Sequence, residues 1–419
     1  MVAPSANRNP LSSMTKDSKR LTTCVVGGGN SAHILIPILA LAGQQVNLLT
    51  RRPEDWNDDI YCQVTDGVTE KVQQTYVGKL TKKSSDPSQV IPEADIIILC
   101  LPVHQYHPAL DRLAPHINAD KEVYVGTIFG QGGFNWMVHD IKTRYTLNKV
   151  TTFAVGSIPW ICRTIEYGKI GASYGTKDVN LVAVSPMEKF HQLEDILLDD
   201  LSMKPFGRGK FRLASSFIDL TLSVDNQIIH PARCYGLWKK SHGGAWPTAR
   251  DVPYFYRDFD FESAEILRKL DDDYTVVRNA VKKRFPSRKF PYMLSYLELE
   301  RLNHGSKNVD ILASLRDSVQ LASIKTPVVE KDGMWKLNTD CRFFTDDIAY
   351  GIVIAKWIAE ELNVKTPFID EIIGWAQSLR GEHFLDENDK LDRDFCLHQK
   401  YISGIPEAYG ISSVEDILD

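Results

Sequence analysis

The chain reads as an α/β unit followed by an all-α one, and three features of its 419 residues carry that reading. A short apolar run over 21–26 ends in Gly27-Gly28-Gly29 and leads straight into a second apolar stretch at 34–42. The run Ala94-Asp95-Ile96-Ile97-Ile98-Leu99-Cys100-Leu101-Pro102 is almost continuously apolar, the pattern of a strand covered on both faces of a parallel sheet. From about Phe211 onward, the hydrophobic period becomes that of amphipathic helices.

The first strand, glycine turn and helix have the spacing of a Rossmann dinucleotide-binding unit. Gly27 permits the tight turn out of the strand, and Gly29 lets backbone amides approach a pyrophosphate. Asn30 and Ser31 complete the turn, and Ala32 stands where a third glycine is usual, small enough for helix and strand to pack closely. The N-terminus of that helix then offers unpaired N–H groups and a positive dipole end to phosphate. A second strand follows at 45–50. An acidic residue at its end would bond the ribose hydroxyls of NADH, but the chain has Thr50, Arg51 and Arg52 there. Two guanidiniums suit a 2′-phosphate, so NADPH is the expected cofactor, with NADH possible. The alternative is a solvated basic corner balanced by Glu54 and Asp55.

Leu101 and Pro102 close the strand that should line the cofactor crevice. Further strands are expected near 73–80, 122–126 and 150–156, with a helix near 133–145. The Gly130-Gln131-Gly132-Gly133 run starts that helix or forms a substrate-side loop. Short segments at 163–168, 171–175 and 179–184 read as an antiparallel extension, because tight turns replace crossover helices. Helices are expected over 212–225, 227–238, 261–283, 291–302, 308–322, 347–362 and 367–379. The organisation is a disordered leader (1–20), a dinucleotide-binding domain (21–208) and a helical substrate domain (209–419).

Composition narrows the partners. A net charge of −5 with scattered basic residues gives no footprint for nucleic acid. No apolar stretch approaches the ~20 residues needed to span a bilayer. Seven cysteines, odd in number and never spaced Cys-x-x-Cys, read as reduced thiols in the cytoplasm. The expected partners are small molecules, and the expected assembly is a monomer or homodimer. His104 and His107 have no third ligand at metal spacing, so no metal site is expected.

Two stretches of the helical half carry groups suited to acid–base work and carboxylate binding: Asn226-Gln227-Ile228-Ile229-His230-Pro231 and Arg342-Phe343-Phe344-Thr345-Asp346-Asp347. Thr345 or Asp346 reads as the cap of the helix that follows. With Gly27-Gly28-Gly29-Asn30-Ser31-Ala32-His33, Pro159-Trp160-Ile161-Cys162-Arg163, Pro253-Tyr254-Phe255-Tyr256 and Gly374-Trp375-Ala376-Gln377, these motifs resemble, in order, those of the opine dehydrogenase family. The resemblance runs from about Leu21 to the C-terminal region. It implies NAD(P)H-dependent reductive condensation of a 2-oxo acid such as pyruvate with an amino acid, through an imine. In that reading His230 transfers protons, Asp347 is its carboxylate partner, and Arg342 holds the oxo-acid carboxylate. Histidine is the side chain whose ordinary pKa permits proton transfer near neutrality. Arginine can grip a carboxylate through two parallel bonds. Arg163 touches substrate or pairs with Glu166. The chain departs from the NADH-using members at Arg51 and Arg52. The aromatic pocket of arginine-using members does not clearly recur around Leu294-Ser295-Tyr296, which argues against arginine as the amine. The rival readings are a 2-oxo or 3-oxo acid reductase that needs no amine, and an inactive nucleotide-sensing protein.

Overall fold

A computed structural model of the protein describes residues 21–67, 69–202, 209–318, 321–398 and 401–418. The expected leader lies outside these residues. So does residue 208, the expected end of the first domain.

The first half carries β1 (Thr22–Val26), β2 (Gln45–Leu49), β3 (Asp59–Thr65), β4 (Val72–Lys79), β5 (Lys82–Ser84), β6 (Ile96–Leu99), β7 (Val123–Thr127), β8 (Val150–Val155), β9 (Trp160–Glu166), β10 (Ile170–Thr176), β11 (Val179–Ser185) and β12 (Lys210–Leu213). Eight of them form one sheet in the order β12-β11-β8-β7-β6-β1-β2-β5. From β8 to β5 every pairing is parallel. The chain direction across the sheet reverses between β1 and β6, and a doubly wound sheet binds its ligand at the carboxyl ends of the strands flanking such a reversal. The glycine turn follows β1 there, and residues 100–102 follow β6.

The antiparallel extension divides in two. β11 does extend the main sheet, antiparallel to β8, and β12 adds to it in parallel, so the sheet runs to Leu213. β9 and β10 pair instead with each other and, through β3, with β4 in a separate four-stranded sheet. The helix α1 (Ala32–Leu41) lies between that sheet and the main one. A Cβ on Gly78 of β4 would come 2.4 Å from the Pro37 Cα, and one on Gly171 of β10 would come 2.6 Å from the His33 Cβ. Cover on both sides explains why α1 is apolar all round, with Ile34, Leu35, Ile36, Ile38 and Leu39 wholly buried. Each such side chain contributes about 2 kcal/mol when removed from water.

The second half is helical, with its longest helices at Asn226–Lys240, Phe261–Arg284 and Pro367–Arg380. Three expectations need correction. The expected 212–225 helix is reduced to Phe217–Leu222, because 210–213 is claimed by the sheet and Asp225 breaks the chain to cap the next helix, accepting the Asn226 N–H at 2.6 Å. The expected 308–322 helix spans only Ile311–Arg316. The expected 347–362 helix opens with a wide π turn, Ile348–Ile352, before continuing as Val353–Glu361. A small sheet of Ala245–Trp246, Val328–Lys331 and Met334–Leu337 was not foreseen. Its hairpin turns at Asp332 and Gly333, with φ of 55° and 71°, and an Asp-Gly pair in that conformation is a hairpin signal.

Candidate functional site

The crevice at the sheet's reversal is a cleft of ≈ 580 Å³, lined by Gly27, Gly28, Gly29, Thr50, Arg51, Arg52, Leu101 and Pro102 among others. The glycine turn is built for close approach. Gly27 has φ +109°, and a Cβ there would meet the Cys100 carbonyl oxygen at 2.5 Å, whereas one on Gly29 would meet nothing nearer than 3.9 Å. His33 buttresses the turn from α1. Its Nε2 accepts the Gly168 N–H at 2.8 Å, which leaves Nδ1 to donate to the Gly29 carbonyl at 2.9 Å. Burial holds this imidazole below its ordinary range, in the neutral form that this pairing needs. Asn30 ties the turn to β9 by accepting the Thr164 N–H at 2.8 Å. Ser31 and Ala32 are buried at the start of α1, where Ser31 makes no side-chain cap.

The far end of the cleft is basic. Arg52 pairs with Asp55 at 3.2 Å and lies 4.9 Å from the Tyr167 ring centre, so half of the expected Arg51–Arg52 pair is spent on a neighbour. Among the described residues, Arg51 has no carboxylate within ion-pair distance. Arg112 also lines the cleft and donates to the Ser85 carbonyl at 3.0 Å. Arg112 and Tyr167 come from segments with no nucleotide motif of their own, and nothing in their sequence surroundings pointed to them.

The helical half presents a dry, aromatic pocket. His230 and Asp347, both 1% exposed, meet at 2.7 Å between Nδ1 and Oδ2. On the other side of the ring, Nε2 lies 3.0 Å from the Tyr256 hydroxyl, which is also buried. Phe343 stacks on the imidazole at 3.8 Å, with Phe255 edge-on. Burial is the largest influence on both partners. It holds His230 well below its ordinary range and pushes the Asp347 carboxyl well above its own, with Arg342 opposing the latter. The backbone explains the convergence. Pro231 sits within the Asn226–Lys240 helix directly after His230, and the Asp346 and Asp347 amides both bond the Arg342 carbonyl, at 2.9 and 3.2 Å, in a tight turn. Tyr256 belongs to a motif that the sequence singles out, but its hydroxyl was not foreseen in the site. A tyrosine three residues past a proline carries no local sign of which histidine it will meet.

Arg342 is exposed at the edge of this pocket, and among the described residues no carboxylate lies within ion-pair distance of it. Arg163, half-buried on β9, donates to the Cys162 carbonyl at 2.9 Å. Its alternative partner Glu166 is taken by Lys169 at 3.1 Å. Both guanidiniums act electrostatically on the Tyr256 hydroxyl, one from each half of the molecule. Asp346 does not cap its own helix. It accepts the Val103 N–H at 3.0 Å and pairs with His104 Nδ1 at 2.5 Å, both on the opposite half. Gly133 ends the Gly130-Gln131-Gly132 run as the left-handed N-cap of the Phe134–Tyr145 helix. His107 does meet further metal-type groups, Asp140 at 2.6 Å and Asp111 nearby, but Arg144 bridges both aspartates. The seven cysteines are unpaired.

A doubly wound sheet with a glycine-lined cleft at its switch point, beside a helical half with a buried histidine–carboxylate pair, has the parts of a nicotinamide-dependent oxidoreductase. Residues 213–380 match the family described as NAD/NADP octopine/nopaline dehydrogenase, alpha-helical domain. The octopine dehydrogenase of Pecten maximus is 28% identical over 410 residues, covering 94% of this chain and 98% of that one. A solved octopine dehydrogenase with NADH and L-arginine superposes with a TM-score of 0.77 at 24% identity, covering 95% of this chain and 98% of the other. A yersinopine dehydrogenase with NADP+ bound superposes at 0.62 and 14% identity, covering 93% and 99%. Over nearly its whole length the chain is therefore similar to octopine dehydrogenases, and the family's helical domain matches its second half.

Proposed function

We propose that the protein is an opine dehydrogenase, joining a 2-oxo acid, pyruvate first, to the amine of an amino acid through an imine that is then reduced to a secondary amine. The observation that carries this reading is the buried line of Tyr256, His230 and Asp347 beside Arg342, which has no carboxylate partner among the described residues. A nicotinamide dinucleotide fits the cleft, because the Gly27 to Gly29 cradle leaves space that a side chain would fill. When bound, its reduced form supplies the hydride.

The protein's own groups do the rest. Arg342, which lies 5.5 Å from the Phe343 ring centre and has no carboxylate within ion-pair distance among the described residues, receives the oxo-acid carboxylate through two parallel bonds and so orients the carbonyl. Arg163 stands on the facing wall as a second cationic contact. The carbonyl loses its oxygen as water when the amine condenses, and this requires protons to move. The Tyr256–His230–Asp347 line has two protonation states, one proton apart. In one, the Tyr256 O–H donates to Nε2 and Nδ1–H donates to Asp347. In the other, which holds one proton more, the Asp347 O–H donates to Nδ1, Nε2–H donates to the Tyr256 oxygen, and the tyrosine O–H turns toward the substrate. Both leave each buried atom paired, so a proton delivered at the Tyr256 end need not create an isolated charge in an apolar site. The aromatic walls of Phe343 and Phe255 keep water from hydrolysing the imine.

The preferred cofactor in this reading is NADPH, with NADH accepted: Arg51 and Arg112 both line the ribose end of the cleft, where no acidic side chain does among the described residues. The seven free thiols support a cytoplasmic protein, acting on small molecules as a monomer or homodimer. The test is a screen of amino acids and taurine against pyruvate, glyoxylate and 2-oxoglutarate, following loss of reduced-nicotinamide absorbance. Turnover that requires both substrates supports the reading. Equal turnover of the oxo acid alone supports a simple reductase, and dinucleotide binding without turnover on any mixture supports a sensing protein.

A further inference from the structure

The segment 342–347 carries both groups assigned to the chemistry, and its one remaining acid, Asp346, reaches across to the other half of the molecule. The carboxylate is 4% exposed. Oδ2 accepts the Val103 N–H at 3.0 Å, and Oδ1 faces the His104 backbone N–H at 3.3 Å and the His104 Nδ1 at 2.5 Å. Three donors from one short turn therefore converge on one buried acid. That turn, Val103–Gln105, follows directly on Leu101 and Pro102 and begins the wall of the dinucleotide cleft, to which His104 itself contributes. Other bonds join the two halves, such as those between Gln131 and Ser223 at 3.0 Å and between Gln227 and Gln131 at 2.9 Å, but they anchor the end of the Phe217–Leu222 helix and the start of the Asn226–Lys240 helix, not this segment.

We propose that Asp346 and His104 form an interdomain latch, as positioning residues that hold Arg342 and Asp347 in register with the floor of the dinucleotide cleft. The inference rests on the reading of Arg342 as the oxo-acid clamp. Its physical basis is the rigidity of the turn. The Asp346 and Asp347 amides both bond the Arg342 carbonyl, so fixing the Asp346 side chain fixes the backbone that aims the other two. A buried carboxylate deprived of its donors is costly, so the segment keeps this seat while the 101–104 loop keeps its shape. With Nδ1 committed to Asp346, the ring edge carrying Nε2 is the part of His104 left for the cleft, where a bound dinucleotide packs against the same loop. Occupancy of the cleft then stiffens the loop and, through the latch, the clamp. Affinity for the oxo acid should rise when the dinucleotide is bound, and reciprocally.

The test is calorimetric titration of pyruvate into the full-length protein with and without oxidised dinucleotide, a pair that cannot react. It is run on the parent, on His104→Ala, Asp346→Ala and the double variant, with Arg342→Gln alongside. The parent should bind pyruvate at least about fivefold more tightly when the dinucleotide is present. Asp346→Ala should remove most of that factor while leaving dinucleotide affinity within about twofold, His104→Ala should remove it whatever the loss of its ring edge from the cleft does to dinucleotide affinity, and the double variant should show no smaller factor than the worse single one. His104→Asn, which keeps a side-chain donor, should restore part of it. Retention of the parent factor in both single variants would overturn the latch, as would loss of dinucleotide affinity, pyruvate affinity and melting temperature together. If Arg342→Gln leaves pyruvate affinity unchanged, the clamp reading fails whatever the latch variants do. If it loses pyruvate affinity while the latch variants keep the parent factor, the latch alone fails.

Discussion

Asp346 and Asp347 are neighbours in sequence, yet each meets a histidine from a different half of the molecule and in a different medium. Asp347 faces His230 in a pocket closed by Phe343, Phe255 and Tyr256, where neither partner touches water. Asp346 faces His104 on the wall of an open cleft, and the His104 side chain keeps 32% of its exposure. Successive residues of a helical turn point about 100° apart, which is how one turn can supply two walls. The same pair of residue types thus does two jobs. Dry and aromatic, it is proposed to handle protons; wet on one side and bonded to backbone, it joins one half of the protein to the other.

That contrast can be broken most forcefully at the dry pair. His230→Ala should lower kcat by about 10³-fold, within the span usual for a lost acid–base group, while calorimetric affinity for the dinucleotide is unchanged. If the variant kept most of its turnover, the proton role would have to move elsewhere. Arg342→Gln should raise the pyruvate KM by about 100-fold, some 2.7 kcal/mol of lost binding, with a smaller change in the KM of the dinucleotide.

The dry pair should also leave a mark on stability. In the unfolded chain, between pH 3.8 and 6.5, His230 is charged and Asp347 ionised, so the two hold one proton. In the folded chain, burial favours a neutral imidazole and a protonated carboxyl, again one proton, so the pair adds no slope to stability in that window. The single variants uncouple this. Asp347→Asn leaves a histidine with depressed pKa, whose contribution is present above pH 6.5 and lost as the pH falls. His230→Asn leaves a carboxyl with raised pKa, whose contribution is present below pH 3.8 and lost as the pH rises. Urea denaturation across pH 4 to 6.5 should therefore show slopes of opposite sign in the two variants, each at most about 1.4 kcal/mol per pH unit. Slopes of one sign in both would refute the pairing. The smallest effect is expected at the wet end. Arg51→Ala should raise the NADPH KM by about tenfold and leave that for NADH unchanged, and equal changes for both would remove the 2′-phosphate assignment.

The nucleotide half was largely legible in the sequence, because its demands are local. A turn at φ +109° against a carbonyl needs glycine at position 27, and a helix covered on every side must be apolar on every side. The two-sheet arrangement was not legible, since a hairpin such as β9–β10 pairs equally well with any free edge and its partner β3 lies about a hundred residues earlier. In the helical half the family motifs pointed to His230, Arg342 and Asp347. Asp346 was misread as a cap, because an acid ahead of a helix looks the same whether it bonds its own amides or those of Val103 and His104. The shortened helices at 217–222 and 311–316 show tertiary pairing and caps overriding a helical period.

The wide turn at Ile348–Ile352 has a consequence for how this protein can change. A five-residue turn carries one residue more than the coil around it requires, and each residue of a helix advances the chain by about 100°. Deleting a single residue there would wind the coil back to its ordinary pitch, and the guanidinium and both aspartates upstream would swing away from their partners while the apolar staircase below stayed seated. Loss of function by a lesion that leaves the core intact is the expected signature. A compensating insertion within the next turn would restore the phase.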